Sequence, residues 1–140
     1  MLILDTDHLS EFDRASPAGQ RLRDRLLASG EDAAATIISV EEQLRGWLAQ
    51  IHRLHEDAHQ QVAIYARLHS RLTFYSNWTV LPWSTECAEL FLKFRQQGVR
   101  MGAMDLKIAC IAINHQATLL TRNTVDFAKA PGLRFLNWLD

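Results

Sequence analysis

The sequence contains few cysteines, no long hydrophobic run and no N-terminal targeting signal. Its two cysteines, Cys87 and Cys110, lie far apart and in no spacing typical of a metal or redox site. Both fall in apolar helical stretches, so we expect reduced core residues of a cytosolic protein. No apolar run approaches the roughly 18 residues that a membrane span requires. Residues 1–10 also lack the basic segment of a signal peptide. These absences predict a soluble, intracellular protein.

Neither sign of charge is in excess. Lysine and arginine total 15, aspartate and glutamate total 16, and the formal net charge is −1. This balance argues against a strongly basic nucleic-acid-binding module. The basic residues are 12 arginines and 3 lysines. Arginine suits bidentate contacts with phosphate, although a GC-rich genome produces the same bias.

Short apolar segments alternate with helical patterns, and no linker, repeat or charge block divides the chain. Strands are predicted at residues 2–4, 34–38, 79–82, 117–121 and 133–136. Helices are predicted through residue 11, over 17–29, from 39 continuously to 75, over 84–98 and over 104–114. This alternation predicts an α/β fold, a three-layer α/β/α sandwich with a central parallel sheet of four to five strands. We expect one domain over residues 1–140.

Local signals predict the ends and faces of the first helices. Thr6 or Asp7 is expected to cap the first helix. Ser39 and Glu42 have the spacing of a capping box at the start of a later helix. The second helix is expected to bury three leucines on one face, namely Leu22, Leu26 and Leu27.

Acidic and polar residues occur where predicted strands end or neighbouring helices begin. Asp5 ends the first strand, and Glu42 lies at the start of the helix after the second. Asp105 begins the helix before the fourth strand, which Asn123 and Asp126 follow. Ligands bind outside the carboxyl ends of parallel strands, so these groups are expected to converge there. Four close carboxylates repel one another, and a hard cation such as Mg²⁺ or Mn²⁺ relieves that repulsion.

Each acid taken alone has a simpler explanation. An aspartate at a helix start is usually a cap or a partner of the helix dipole. The capping box explains Glu42, and Asp126 alone could be a solvated turn residue. Only the convergence of the acids favours a metal site, and such a site would suit the hydrolysis of a phosphodiester.

Five segments, in order along the chain, resemble the motifs of PIN-domain ribonucleases, and most closely those of the VapC-type toxins of bacterial toxin–antitoxin pairs. The segments are LDTDHLSEF (4–12), ISVEEQLRG (38–46), GAMDLKIA (102–109), LLTRNTVDF (119–127) and APGLRFLNW (130–138). The resemblance covers nearly the whole chain. It implies a PIN-like fold and a metal-dependent endoribonuclease that hydrolyses RNA phosphodiester bonds and leaves a 5′-phosphate.

The resemblance also implies which side chains are catalytic. It assigns Asp5, Glu42, Asp105 and Asp126 as the catalytic and metal-binding acids, with Mg²⁺ or Mn²⁺ as cofactor. Asn123 stands where other members carry aspartate, so whether Asn123 or Asp126 fills the fourth position stays open.

Three further residues are possible accessories to the site. Thr121 and Asn123 resemble polar residues that line the site of the family. Asp7 departs from the asparagine that the family usually has at that position. Its carboxylate would either join the metal shell through water or hydrogen-bond the strand end.

The partners implied by the resemblance are an RNA substrate, frequently tRNA in the family, and a cognate antitoxin that covers the acidic groove, often with a basic side chain. A homodimer in the prokaryotic cytoplasm is also implied. Four apolar side chains could contribute to a dimer or simply belong to the core: Leu22, Leu26, Leu48 and Ile51. The alternatives are a PIN-like nuclease that acts on DNA or in RNA processing, and a catalytically silent PIN-like binding module.

Histidines and tryptophans suggest further sites that we rank second. His52, His55 and His59 share a helical spacing, but no fourth ligand follows at a zinc spacing, so we expect an exposed face. The four tryptophans could stack on bases, but core positions are favoured for all of them: Trp47, Trp78, Trp83 and Trp138.

Overall fold

Five short strands form one parallel sheet in the computed structural model, which describes residues 1–140. The strands are β1 (Leu2–Leu4), β2 (Ala33–Thr36), β3 (Thr79–Leu81), β4 (Thr118–Leu120) and β5 (Arg134–Leu136). The helices are α1 (Thr6–Phe12), α2 (Pro17–Ser29), α3 (Ile37–Arg53), α4 (Ala58–Ser76), α5 (Thr85–Gln96), α6 (Ala103–Asn114) and α7 (Thr124–Phe127). The strand order is β3-β2-β1-β4-β5, and every neighbouring pair is parallel. The predicted three-layer α/β/α sandwich is confirmed.

The central strand β1 sends its side chains alternately to two cores, one on each face of the sheet. Ile3 belongs to the larger core, which α5 and α6 cover. Leu2 and Leu4 belong to the smaller core, which α1 and α2 cover. All three side chains are at most 2% exposed, because successive residues of a strand face opposite sides of the sheet. A strand buried on both faces must be apolar throughout, so the first polar group can appear only at its end.

Two helix starts differ from the predicted caps. The cap of α1 is Asp5, whose Oδ1 accepts the N–H of Thr6 at 2.8 Å, so the prediction of Thr6 or Asp7 is wrong. The cap of α3 is Thr36, whose Oγ1 accepts the N–H of Ser39 at 3.2 Å. The predicted capping box of Ser39 and Glu42 is therefore wrong. Ser39 is buried in the first turn of the helix. The capping role that most simply explained Glu42 therefore does not apply.

The predicted continuous helix from residue 39 to residue 75 is interrupted. The helix α3 ends at Arg53, and α4 begins after Asp57, whose Oδ1 accepts the N–H of Gln60 at 3.0 Å. No residue of α4 is fully buried; Phe74 and Tyr75 pack against the smaller core, and its other apolar side chains lie outside both cores. Three of them are more than half exposed, namely Val62, Tyr65 and Leu72.

The break also separates the three histidines of the shared helical spacing. His52 is on α3, His59 is on α4, and His55 lies in the connection, so no single helical face carries all three. All three are exposed, as predicted. The rings of His52 and His55 stack with their centroids 5.6 Å apart.

Most other predictions from the sequence are confirmed, with small shifts. Strand β2 stops at Thr36, two residues before the predicted end, and the four-residue α7 was not predicted. Both cysteines are buried free thiols. Two tryptophans pack against the smaller core and one against the larger: Trp78 and Trp138, then Trp83. Trp47 is half-buried outside both cores, so the core position predicted for it is wrong. No helix has the length and apolar character needed to cross a bilayer.

Leucines of α2 provide a matched test of the packing. Leu22 is 1% exposed and Leu27 is 82% exposed, so the predicted burial of Leu27 is wrong. We expect Leu22→Ala to lower the free energy of unfolding by about 2–5 kcal/mol, because it leaves a cavity in the smaller core. Leu27→Ala should change it by less than about 0.5 kcal/mol. Urea unfolding followed by circular dichroism measures both, and equal losses in the two variants would contradict the assignment of this core.

Candidate active site

The candidate site lies at the carboxyl ends of the three central strands. Strand β1 lies between β2 and β4, so residues that follow these strands meet at one edge of the sheet. Asp5 follows β1, Glu42 is in the second turn of the helix after β2, and Asn123 follows β4. The first turn of α6 brings Asp105 to the same place, and the short α7 brings Asp126. We call Asp5, Glu42, Asp105 and Asp126 the acidic cluster.

Asp5 is the most buried member of the acidic cluster. Its side chain is held from two sides, because Oδ1 accepts the Thr6 N–H at 2.8 Å and Oδ2 accepts the Thr121 hydroxyl at 2.8 Å. The residue as a whole is 8% exposed, and Thr121 is fully buried. The carboxylate therefore has one orientation, fixed jointly by the start of α1 and the end of β4.

Hydrogen bonds extend from Asp5 to the other members of the cluster. The Thr6 hydroxyl donates to Glu42 Oε2 at 2.9 Å, so Thr6 joins Asp5 to Glu42. On the other side, the Asn123 N–H donates to Thr121 Oγ1 at 3.0 Å. Together these bonds link the residues that follow β1, β2 and β4 into one continuous chain.

Asn123 ends this chain by bridging two carboxylates. Its Nδ2 donates to Asp126 Oδ2 at 3.0 Å and to Asp105 Oδ2 at 3.4 Å. Asp126 also accepts from Lys129 Nζ at 3.3 Å, and it is the more exposed of the two acids. Asn123 and Asp126 thus lie side by side, and the amide donates to both carboxylates, which offsets part of the repulsion between their charges.

Burial and mutual repulsion raise the pKa of three of the acids. Burial, with smaller effects from Asp7 and Asp105, raises the pKa of Asp5 to about 6 against the hydrogen bonds from Thr121 and Thr6. Burial and the charge of Asp105 raise the pKa of Glu42. Burial and the charges of Asp126 and Asp7 raise the pKa of Asp105. Asp126 is the exception, because Asn123 and Lys129 lower its pKa.

Asp7 lies at the edge of the acidic cluster, but its carboxylate hydrogen-bonds to His8 and Arg122. Its Oδ1 lies 2.6 Å from Nδ1 of the fully buried His8, and its Oδ2 accepts the Arg122 N–H at 3.0 Å. Although burial opposes it, these hydrogen bonds lower the pKa of Asp7. Nε2 of His8 accepts the backbone N–H of Trp138 at 3.2 Å, so the ring proton lies on Nδ1, toward Asp7. Of the two roles predicted for Asp7, the hydrogen-bonding one describes its contacts.

His8 was not among the residues predicted for the site. Sequence reasoning missed it because its partners, Asp7 and Trp138, lie at opposite ends of the chain. The only signal was a histidine placed in the first turn after a strand-ending aspartate. Its contacts tie Trp138 to Asp7, which in turn accepts the Arg122 N–H from the turn after β4.

The donor set suits a hard cation better than zinc. All four acids offer carboxylate oxygens, and the only nearby histidine, His8, already uses both ring nitrogens. As they are placed, no three His, Cys, Asp or Glu side chains are close enough to hold one ion among themselves. Mg²⁺ commonly takes one or two carboxylates and keeps several waters, so this arrangement fits Mg²⁺ or Mn²⁺.

The raised pKa of Asp5 gives a prediction about stability. In its metal-free form the folded protein holds the proton of the Asp5 carboxyl group more tightly than the unfolded chain does. The ionised carboxylate therefore destabilises the fold fully above about pH 6, and the penalty disappears as the pH falls toward about 4. A pKa rise of about two units is equivalent to about 3 kcal/mol. We expect Asp5→Asn to be more stable than the unaltered protein by up to that amount at about pH 7 and by less at about pH 5.

Urea unfolding in EDTA at the two pH values measures this difference. Asp126→Asn is the control, because the pKa of Asp126 is lowered and its removal should give no such gain. An Asp5→Asn variant that is less stable than the unaltered protein at both pH values would contradict the prediction.

The family model of the PIN domain matches residues 2–133. Ribonuclease VapC2 of Rickettsia felis is 36% identical over 69 residues, a match that covers 46% of this chain and 52% of the relative. The chain thus spans about half the length of the curated relative it matches.

Two solved structures share the fold. VapBC-1 from nontypeable Haemophilus influenzae has a TM-score of 0.76 at 19% identity, covering 99% of this chain and 98% of that one. VapBC-5 from Mycobacterium tuberculosis, a member of the VapBC family of toxin–antitoxin systems, has a TM-score of 0.62 at 21% identity, covering 96% of each chain. At these identities the likeness establishes the fold alone. Because the family model spans nearly the whole sequence, this chain belongs to the PIN-domain family.

Proposed function

We propose that this chain is a single-domain, metal-dependent endoribonuclease of the VapC type, the toxin of a toxin–antitoxin pair. The observation that carries the proposal is the hydrogen-bond chain from Glu42 through Thr6, Asp5 and Thr121 to Asn123. It gathers four acids at one sheet edge, although three of them have a raised pKa there. Such a cluster destabilises the metal-free fold, and a bound cation would remove the penalty.

Each acid has a role in this proposal. Asp5, Glu42 and Asp105 would hold Mg²⁺ or Mn²⁺, one or two of them directly and the others through water, with Asp126 binding directly or through water. A bound cation would stabilise the charge that develops on the phosphate and favour attack by water. Thr6 and Thr121 orient the Asp5 carboxylate. Asn123 keeps Asp126 beside Asp105 without a direct repulsive contact.

The relatives support the substrate and the partner in this proposal. The curated relative is named as a ribonuclease, which favours RNA. A neighbour in fold belongs to a toxin–antitoxin family, which favours an antitoxin as partner and the prokaryotic cytoplasm as location. Leu22 and Leu26 belong to the smaller core and are unavailable to a second copy. The exposed Leu48 of α3, with the apolar side chains of α4, is the more suitable surface for an antitoxin or a homodimer.

The proposal predicts metal-dependent cleavage that depends on the cluster. We expect RNA cleavage in Mg²⁺ or Mn²⁺ that EDTA abolishes. Asp5→Asn, Glu42→Gln and Asp105→Asn should each lower the rate by about a hundredfold or more, because each weakens charge stabilisation worth several kcal/mol. The measurement is cleavage of total RNA and of matched DNA, followed by sequencing of the product ends.

Glu56→Gln is the control for these variants, since Glu56 is exposed and distant from the cluster in the chain. Cleavage by Asp5→Asn at the unaltered rate would overturn the assignment of the acids. Cleavage of DNA alone would point to a DNA nuclease instead.

The second prediction concerns metal binding without catalysis. Mn²⁺ should raise the melting temperature of the unaltered protein, because an ion that binds only the folded state stabilises it. Asp5→Asn and Asp105→Asn should show a smaller rise, and Glu56→Gln should show the full one. Differential scanning fluorimetry over a Mn²⁺ titration measures this. A melting temperature that does not respond to millimolar Mn²⁺ would favour the silent binding module.

A further inference from the structure

A groove of about 630 Å³ lies beside the acidic cluster, between α1 and the α3–α4 pair. Thr6 and Glu42 line the groove and also belong to the hydrogen-bond chain of the site. The groove therefore begins at the cluster and leads away from it along α3. A polymer whose reacting phosphate lies at the cluster could continue into this groove without leaving the protein surface.

The lining of the groove is polar and rich in arginine. Of its 12 lining residues, one is hydrophobic, namely Trp47. Arg14 and Arg71 line it but are already paired, with Glu11 at 3.2 Å and with Asp13 respectively. Arg67 forms no ion pair, and its guanidinium lies over the Trp47 ring, 5.8 Å from the centroid. Arg67 is thus the arginine of the groove that remains available to an anionic ligand.

Gly46 gives a second, independent observation. It lines the groove from the interior of α3, where glycine is less favourable than alanine because of its backbone entropy. A Cβ placed there would meet no atom within 4 Å, so packing inside the protein does not require glycine. The space kept open by the missing side chain belongs to the groove.

We propose that this groove binds the single-stranded RNA segment that flanks the scissile phosphate. Arg67 contacts a backbone phosphate, Trp47 stacks on a base, and Gly46 allows the strand to approach the helix closely. An unpaired arginine beside a tryptophan ring is a combination with which proteins bind single-stranded nucleic acids. A helical peptide would instead require apolar pockets, and this groove has one hydrophobic residue. The inference rests on the proposed function, which supplies the RNA.

The first test measures RNA binding without cleavage. All proteins carry Asp5→Asn, and the probe is a fluorescein-labelled single-stranded oligoribonucleotide of mixed sequence in Mg²⁺, followed by anisotropy. Trp47→Ala should weaken binding about tenfold, the loss expected for one stacked base, and Trp47→Phe should restore most of it. Arg67→Ala should weaken binding and lower the salt dependence by about 0.7 in the log–log slope, the value for one phosphate contact. Arg21→Ala removes an exposed helical arginine that does not line the groove and should change neither quantity.

The second test uses Gly46. Gly46→Ala should raise the melting temperature, and Gly46→Leu should keep the protein at least as stable as the unaltered chain while weakening RNA binding. A variant that gains stability and loses affinity separates a blocked groove from a damaged fold. In the cleavage-competent protein, groove variants should raise KM and leave kcat nearly unchanged, because these residues lie away from the reacting phosphate.

The outcomes separate this inference from the proposed function. If the unaltered protein cleaves RNA but the groove variants bind and cleave as it does, the inference is wrong and the function stands. If no RNA is cleaved, the function is wrong, and the binding measurement still reports on the groove. If the variants weaken association with a co-expressed antitoxin and leave RNA binding unchanged, the groove is a protein-docking site and the inference is overturned.

Discussion

The buried carboxylate of Asp5 is the constraint on which the rest of the site depends. It caps α1 through the Thr6 N–H and accepts the hydroxyl of Thr121 at the end of β4. One side chain thus joins the first helix to the end of the neighbouring strand β4, where the turn that carries Asn123 begins. The same placement buries the carboxylate, and burial raises its pKa to about 6 although both hydrogen bonds oppose the rise. The position of Asp5 therefore both holds the site together and makes its ionised carboxylate electrostatically unfavourable.

The clustering of four acids at one sheet edge explains how a nearly neutral chain can carry a strongly acidic site. The formal charge is −1, so the chain without the four acids of the cluster carries +3. The sheet edge concentrates negative charge that the sequence total conceals, and much of the remaining positive charge is arginine on the helices. A cation at the cluster would reduce the local charge and make the edge compatible with a phosphate. The balance of charges thus excludes a basic binding module without excluding a nuclease.

Much of this arrangement could be predicted from the sequence, because parallel strands place their following residues at one edge. The convergence of Asp5, Glu42, Asp105 and Asn123 needed only the strand ends and the rule for open sheets. The hydrogen bonds among them could not be predicted, since Thr6 and Thr121 are far apart in the chain and unremarkable as residue types. The capping error at Ser39 has a similar origin. Thr36 and Ser39 are both good caps, and the choice between them depends on where β2 ends, which is set by its pairing with β1 and β3.

The α3–α4 pair differs from the remainder of the domain in how it is stabilised. The acidic cluster is held at the ends of strands whose side chains form the cores, so its geometry is rigid. No residue of α4 is fully buried, and only Phe74 and Tyr75, near its C-terminal end, pack against a core, so the part of the helix that carries the exposed Arg67 contributes little to core packing. Substitution of Arg67 should therefore cost little stability, whereas Asp5 and Thr121 are part of the hydrogen-bond chain that holds the site. Under the proposed function, the sheet edge would carry the reaction and the helical pair would contact the RNA, so chemistry and recognition would lie on separate parts of the fold.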